Sequence, residues 1–169
     1  MLKVAVEQIS EAGKEIKISK SMDWVNEVVE SVTGGTDASC EGQLLVHRFK
    51  RRLEVSCVLT ASSMCGCERC GEPFTLHLES DHKLSYIPGV GDARDTEQEL
   101  GEGDLDVGWY DNDALNILDV ISEALALSLP ERVICLDVEG CERRTTALLA
   151  SARADVTTGH PGFASLKDF

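Results

Sequence analysis

The sequence predicts an α+β fold in which antiparallel strands are packed by two main helices and tied by a cysteine knuckle. Three observations carry that reading. Apolar and polar residues alternate over much of residues 42–86, apolar residues recur at helical spacing near 22–32 and 114–129, and the pair Cys67 and Cys70 interrupts the alternation. The pattern leaves strand order open, including closure into a barrel-like sheet. With 169 residues the chain is long enough for a sizeable core, and residues 1–169 read as one domain.

At the start, Leu2, Val4 and Val6 alternate with polar neighbours, and Ile16 and Ile18 do so after the Gly13 break, which predicts two short strands forming a hairpin. Ser21 is placed to cap a helix whose Trp24, Val25, Val28, Val29 and Val32 share one face, and Gly34-Gly35 ends it. From residue 42 to 60 the chain reads as extended, with Leu53, Val55, Cys57, Leu59 and Ala61 on one face and Cys57 in the core.

Within that stretch lies His47-Arg48-Phe49-Lys50-Arg51-Arg52, the one concentrated basic patch of an acidic chain. Cations around an aromatic ring suit phosphate contact with base stacking. A solvated turn between strands explains the same residues, and both readings stay open.

After the cysteines, Phe74, Leu76, Leu78, Leu84 and Tyr86 keep one phase, the mark of a long strand or a bent pair. His77 and His82 fall on opposite phases, which argues against a shared metal. Residues 89–113 then accumulate Asp, Glu and Gly and read as an acidic loop, without the ligand spacing of a calcium hand. Asp113 is placed to cap the second helix, in which Leu115, Leu118, Ile121 and Leu125 recur before Pro130. A short helix at 142–153 and an irregular tail from about residue 154 complete the chain.

Sixteen basic against thirty acidic side chains give a net charge of −14, a field that disfavours generic nucleic-acid binding and favours basic partners. The first residues lack the apolar core of a signal peptide, and no apolar run approaches the roughly 20 residues of a membrane span, so a cytoplasmic location is expected. Seven cysteines in such a compartment point to metal or free thiols rather than disulfides.

Cys67 and Cys70 have the gap that turns two sulfurs toward one cation, and Gly71 can take the positive φ such a knuckle needs. Cys135 and Cys141 form a second, looser pair separated by five residues. Together the four suggest a structural zinc clasp joining distant parts of the chain. A dithiol redox centre at Cys67 and Cys70 is the competing reading, although thioredoxin-type pairs open a helix, whereas here Gly71 and Pro73 follow and strand alternation resumes. No phosphate-binding glycine loop, Ser-His-Asp arrangement or metalloprotease helix is present, so no catalytic residue is assigned.

Several pieces of the chain, in consistent order, resemble one family. Cys67-Glu68-Arg69-Cys70-Gly71-Glu72-Pro73-Phe74 is similar to the Cys-x-Arg-Cys-Leu-Glu-Pro signature of the YceD-like proteins, known as large ribosomal RNA subunit accumulation proteins, with Gly71 in place of Leu. Leu115-Asn116-Ile117 through Ile121-Ser122-Glu123 to Leu127-Ser128-Leu129-Pro130 resembles that family's Ile-Asp-Leu, Arg-Glu and Leu-Ala-Leu-Pro run, with Asn116 in place of Asp and Glu123 at the family's glutamate. Cys135 stands where a following cysteine often occurs, and Pro161-Gly162-Phe163-Ala164-Ser165-Leu166 is similar to the closing Pro-Arg-Phe-x-x-Leu. The Gly-Leu-Cys-x-x-Cys-Gly of many members is reduced to Gly140-Cys141.

The resemblance covers roughly residues 40–169. It implies a cytoplasmic, non-enzymatic factor needed for large-subunit ribosomal RNA to accumulate, with a role in ribosome biogenesis. It also draws attention to Glu72 and Glu123 as partner contacts, beside Arg48, Phe49, Lys50, Arg51 and Arg52. The charge balance favours a basic ribosomal protein of the large subunit as partner, assisted by ribosomal RNA at residues 48–52, with neither DNA nor membrane involved.

Overall fold

Alternating burial along three long strands sets the architecture of the computed structural model, which describes residues 2–10, 12–89, 107–111 and 113–155. In chain order the strands and helices are β1 (Lys3–Ala5), β2 (Lys14–Ile18), α1 (Asp23–Thr33), β3 (Thr36–Phe49), β4 (Arg52–Gly66), β5 (Pro73–Pro88), β6 (Val107–Tyr110), β7 (Ala114–Asn116), α2 (Ile117–Leu127) and α3 (Val138–Asp155). A 3-10 turn, Val6–Gln8, follows β1. Five strands form one sheet in the order β2-β3-β4-β5-β6, while β1 pairs with β7 in a separate ribbon.

The fold is α+β as expected, and the four pairings from β2 to β5 and between β1 and β7 are antiparallel. The sheet is open, with β2 and β6 at its edges, so it is not a barrel. The expected N-terminal hairpin does not form. Lys3–Ala5 instead pairs with Ala114–Asn116, and Lys14–Ile18 pairs with β3. Three residues of alternation do not choose between two available partners.

Leu44, Val46, Leu53, Val55, Cys57, Leu59 and Ala61 are all buried on one sheet face, as the alternation requires. Both helices cover that face. α1 contributes Val25 and Val29, and α2 contributes Ile117, Val120, Ile121, Ala124 and Leu125, all fully buried. Trp24, Val28 and Val32 pack at the margin of this cluster. The opposite face carries Leu45, Val58 and Met64 in exposed positions.

The helix ends differ from expectation at three places. Met22, not Ser21, occupies the N-cap of α1 and makes no side-chain cap, whereas Gly34 ends that helix at φ 66° as anticipated. α2 starts at Ile117, with the Asn116 side chain accepting from the Leu118 N–H, because residues 114–116 are held as strand β7. Asp113 therefore does not cap it. α3 begins at Val138 and includes Cys141, earlier than the predicted 142–153 helix.

Part of the expected acidic loop is strand. Val107–Tyr110 runs parallel to β5 as the edge strand β6, while residues 90–106 lie outside the described residues, as does the tail from 156 onward. No helix among the described residues is long and apolar enough to cross a membrane.

Candidate metal centre

The Cys-x-x-Cys pair occupies the connection between β4 and β5. Its backbone closes on itself: the Gly71 N–H donates to the Cys67 carbonyl at 2.8 Å and the Cys67 N–H donates to the Glu72 carbonyl at 2.9 Å. Gly71 has φ 77°, a conformation that side chains disfavour. The knuckle then reaches the segment after α2, where the Glu68 N–H donates to the Val133 carbonyl at 2.8 Å.

That segment delivers Cys135, whose N–H points at the Cys67 sulfur from 3.3 Å. α3 delivers Cys141 from its first turn. The Asp137 carboxylate accepts from the Gly140 N–H at 3.0 Å, an N-terminal cap that fixes the turn. The helix is also tied to the knuckle by the Arg69–Glu142 ion pair at 3.5 Å and by the Thr145 hydroxyl donating to the Arg69 carbonyl at 3.3 Å.

All four sulfurs, from Cys67, Cys70, Cys135 and Cys141, lie within 4.8 Å of one another, and each residue is at most 8 % exposed. Cys67 and Cys141 are 3.8 Å apart, and Cys70 and Cys135 are 3.9 Å apart. A tetrahedral cation with metal–sulfur bonds near 2.3 Å has its sulfurs about 3.8 Å apart, whereas a disulfide needs about 2 Å. The donor set therefore fits a thiophilic metal ion, and the cysteines are free thiols. The five-residue gap between Cys135 and Cys141 is no obstacle, since the α3 turn folds it back.

Electrostatics in the metal-free protein divide the four. The Cys135 N–H on its sulfur, reinforced by the knuckle N–H groups, draws Cys67 down to about 6. The Glu72 N–H and the Arg144 guanidinium lower Cys70 as well. Burial raises Cys135, and it pushes Cys141 up to about 12. A bound dication would reverse the last two effects by neutralising thiolate charge. Four thiolates and a dication would still leave excess negative charge, against which Arg144 is placed: its Nη2 lies 3.8 Å from the Cys135 sulfur and 3.4 Å from the Asp137 carboxylate.

The family model for the large ribosomal RNA subunit accumulation protein YceD matches residues 55–169, well over half of the chain and inclusive of all four cysteines. The chain belongs to the YceD family. No curated protein and no solved structure matches it. The family's role, by its description, lies in accumulation of the large ribosomal subunit's RNA.

In this YceD-family protein Glu72 is the one remaining sequence-derived candidate that joins the cysteines, its carbonyl accepting from the Cys67 N–H. Arg48, Phe49, Lys50, Arg51 and Arg52 surround the β3–β4 turn, at the other end of β4, roughly 45 Å away along the strand. Glu72 lies exposed in the knuckle. Glu123 is on α2, where it accepts a 2.6 Å hydrogen bond from the Tyr86 hydroxyl near the far end of β5. Burial, then that hydrogen bond, raises the Tyr86 phenol. Glu72 and Glu123 therefore lie near opposite ends of β5.

Sequence reasoning missed Asp137 and Arg144. A signal existed: Asp137 precedes Gly140 by three residues, the spacing of an N-cap, and Arg144 follows Cys141 by three, on the same helical face.

Proposed function

We propose that this chain is a non-enzymatic, cytoplasmic attachment factor in biogenesis of the large ribosomal subunit, held in shape by a structural zinc ion on Cys67, Cys70, Cys135 and Cys141. The observation that carries the reading is the convergence of four sulfurs within 4.8 Å, in a chain whose family is named for accumulation of the large subunit's RNA. Bound zinc would supply a cross-link of four thiolate bonds and no open coordination position for a substrate.

The chain's own residues supply the rest. The knuckle N–H groups and the Cys135 N–H orient and charge the sulfurs, Arg144 and Asp137 brace them, and burial keeps water from them. With a net charge of −14 the body attracts a basic ribosomal protein of the large subunit, and the exposed cations at residues 48–52 add a contact to ribosomal RNA. The acidic segment is the main lure for the protein partner. Deleting residues 91–106 should weaken that complex while the fold persists.

Affinity purification from cells at low salt, reading protein and RNA together with zinc content, tests the proposal. Recovery of large-subunit components with close to one zinc per chain is the expected result; recovery of neither overturns it. The lowered Cys67 thiol favours a second reading, thiol–disulfide exchange. That reading requires turnover of a disulfide substrate that disappears in Cys67→Ser.

A further inference from the structure

The sheet face turned away from α1 and α2 carries an ordered row of side chains at the end remote from the cysteines. Phe49 pairs with Arg52 across the β3–β4 turn, and Ile87 pairs with Trp109 across β5 and β6. Leu53 pairs with Tyr86, so one step further along both strands Arg52 comes opposite Ile87. Phe49, Arg52, Ile87 and Trp109 thus form one row across four strands.

Their neighbours Leu53, Tyr86 and Tyr110 are buried, so by alternation the row points outward. Phe49 is 55 % and Trp109 is 66 % exposed, among the larger apolar surfaces of the described residues. The next outward position on β3 is His47, whose ring centroid lies 6.4 Å from that of Phe49.

The turn beside the row is anchored through its backbone. The Tyr110 hydroxyl donates to the Arg51 carbonyl at 2.8 Å, and Arg48 Nε donates to the Lys50 carbonyl at 3.0 Å. The side chains of Lys50, Arg51 and Arg52 are exposed, and none takes part in an ion pair among the described residues. Three cations therefore border two exposed aromatic faces on a sheet face that no helix covers among the described residues.

We propose that this row is a stacking platform for single-stranded RNA, on which Phe49 and Trp109 each take a base while Lys50, Arg51 and Arg52 hold phosphates. It rests on the ribosomal-RNA part of the reading above and assigns it a surface. Three strand spacings put Phe49 and Trp109 about 14 Å apart, room for separate bases, as sheet-borne aromatics stack two or three bases in other RNA-binding folds. Duplex RNA offers no base face to such rings.

Salt screens charges beyond about 8 Å, so the chain's overall negative charge acts on this row mainly through its nearest carboxylates, among them Glu54, which pairs with His47 on the next outward position. Stacking then supplies much of the affinity. With three phosphate contacts, the log–log dependence of affinity on salt should have a slope of only about −2.

The test is fluorescence anisotropy of the full chain with a labelled mixed-sequence RNA of about 12 nucleotides, single-stranded or annealed to its complement. Expected are preference for the single strand, a weakening of about 5- to 150-fold in Trp109→Ala and in Phe49→Ala, and loss of binding in the triple reversal of Lys50, Arg51 and Arg52 to Glu. Quenching of Trp109 emission on binding, read in a Trp24→Phe background, reports stacking directly. Circular dichroism and zinc content confirm that each variant is folded.

The proposal is overturned if single-stranded RNA fails to bind, if the duplex binds better, or if the aromatic variants bind as wild type does. If the Phe49→Ala/Trp109→Ala protein binds RNA as wild type does and still recovers large-subunit components from cells, the platform is wrong and the broader reading stands. If wild type binds the RNA through both rings yet recovers no large-subunit component, the platform stands and the broader reading falls.

Discussion

The Cys67 sulfur lies 3.8 Å from the Cys141 sulfur although 74 residues separate them along the chain. That closure links the β4–β5 connection to the first turn of α3. Besides the cysteines, the helix is tied to the knuckle by the Arg69–Glu142 ion pair and the Thr145 hydroxyl, and most of its described side chains are exposed.

Metal removal should therefore loosen α3 before anything else. In hydrogen exchange, chelator-treated protein should lose protection across 138–152 while the paired core of β4 and β5 stays protected. Cys141→Ser should reproduce that pattern with less than one zinc per chain. Uniform loss of protection would instead make the metal a condition of the whole fold.

Alkylation of the metal-free protein should discriminate among its thiols. Cys67, held near 6, is mostly thiolate at pH 7, whereas Cys141 near 12, Cys57 near 12 and Cys40 near 11 remain protonated. Peptide mapping after iodoacetamide should find Cys67 modified well ahead of these three, its rate falling as pH drops through about 6. Because the folded-state value of Cys67 lies below the unfolded one, its contribution to stability is complete above the ordinary thiol range and is lost as pH falls toward 6.

Arg144→Gln should weaken zinc retention by about 10- to 100-fold in competition with a chromogenic chelator, and Arg144→Lys should restore part of it. The guanidinium contacts the Cys135 sulfur and the Asp137 carboxylate together, which a neutral amide does not replace. Equal zinc retention in all three proteins would count against a supporting role.

The two sheet faces should respond oppositely to truncation. Ile121→Ala removes a fully buried side chain of α2 and should cost about 2–5 kcal/mol in urea unfolding. Val58→Ala, 49 % exposed on the other face, should change stability by less than about 0.5 kcal/mol. Tyr86→Phe, which leaves Glu123 without its 2.6 Å donor, should fall between them at about 1–2 kcal/mol.

Much of this arrangement was legible because period and spacing are local signals. The alternation from Leu53 to Ala61 and the stripe through Val25 and Val29 reported their buried faces directly. The gap between Cys67 and Cys70 pointed to half of a four-cysteine cluster able to hold a metal, and Cys135 and Cys141 could be named as its other half. What failed was partner choice. Nothing within Lys3–Ala5 specifies Ala114–Asn116, and β6 was hidden because a four-residue edge strand beside many acidic residues looks like their continuation. The row from Phe49 to Trp109 is likewise a product of register between strands distant in sequence, which no periodicity within one segment encodes.

The order in which the ligands are synthesised follows from the same closure. A nascent chain exposes Cys67 and Cys70 early, in a hairpin that can pair as soon as β5 emerges, but the fourth sulfur arrives only with Cys141. A product broken off anywhere between these points presents an unfinished coordination shell. Under the zinc reading proposed above, a filled site would therefore record chemically that translation had passed through α3.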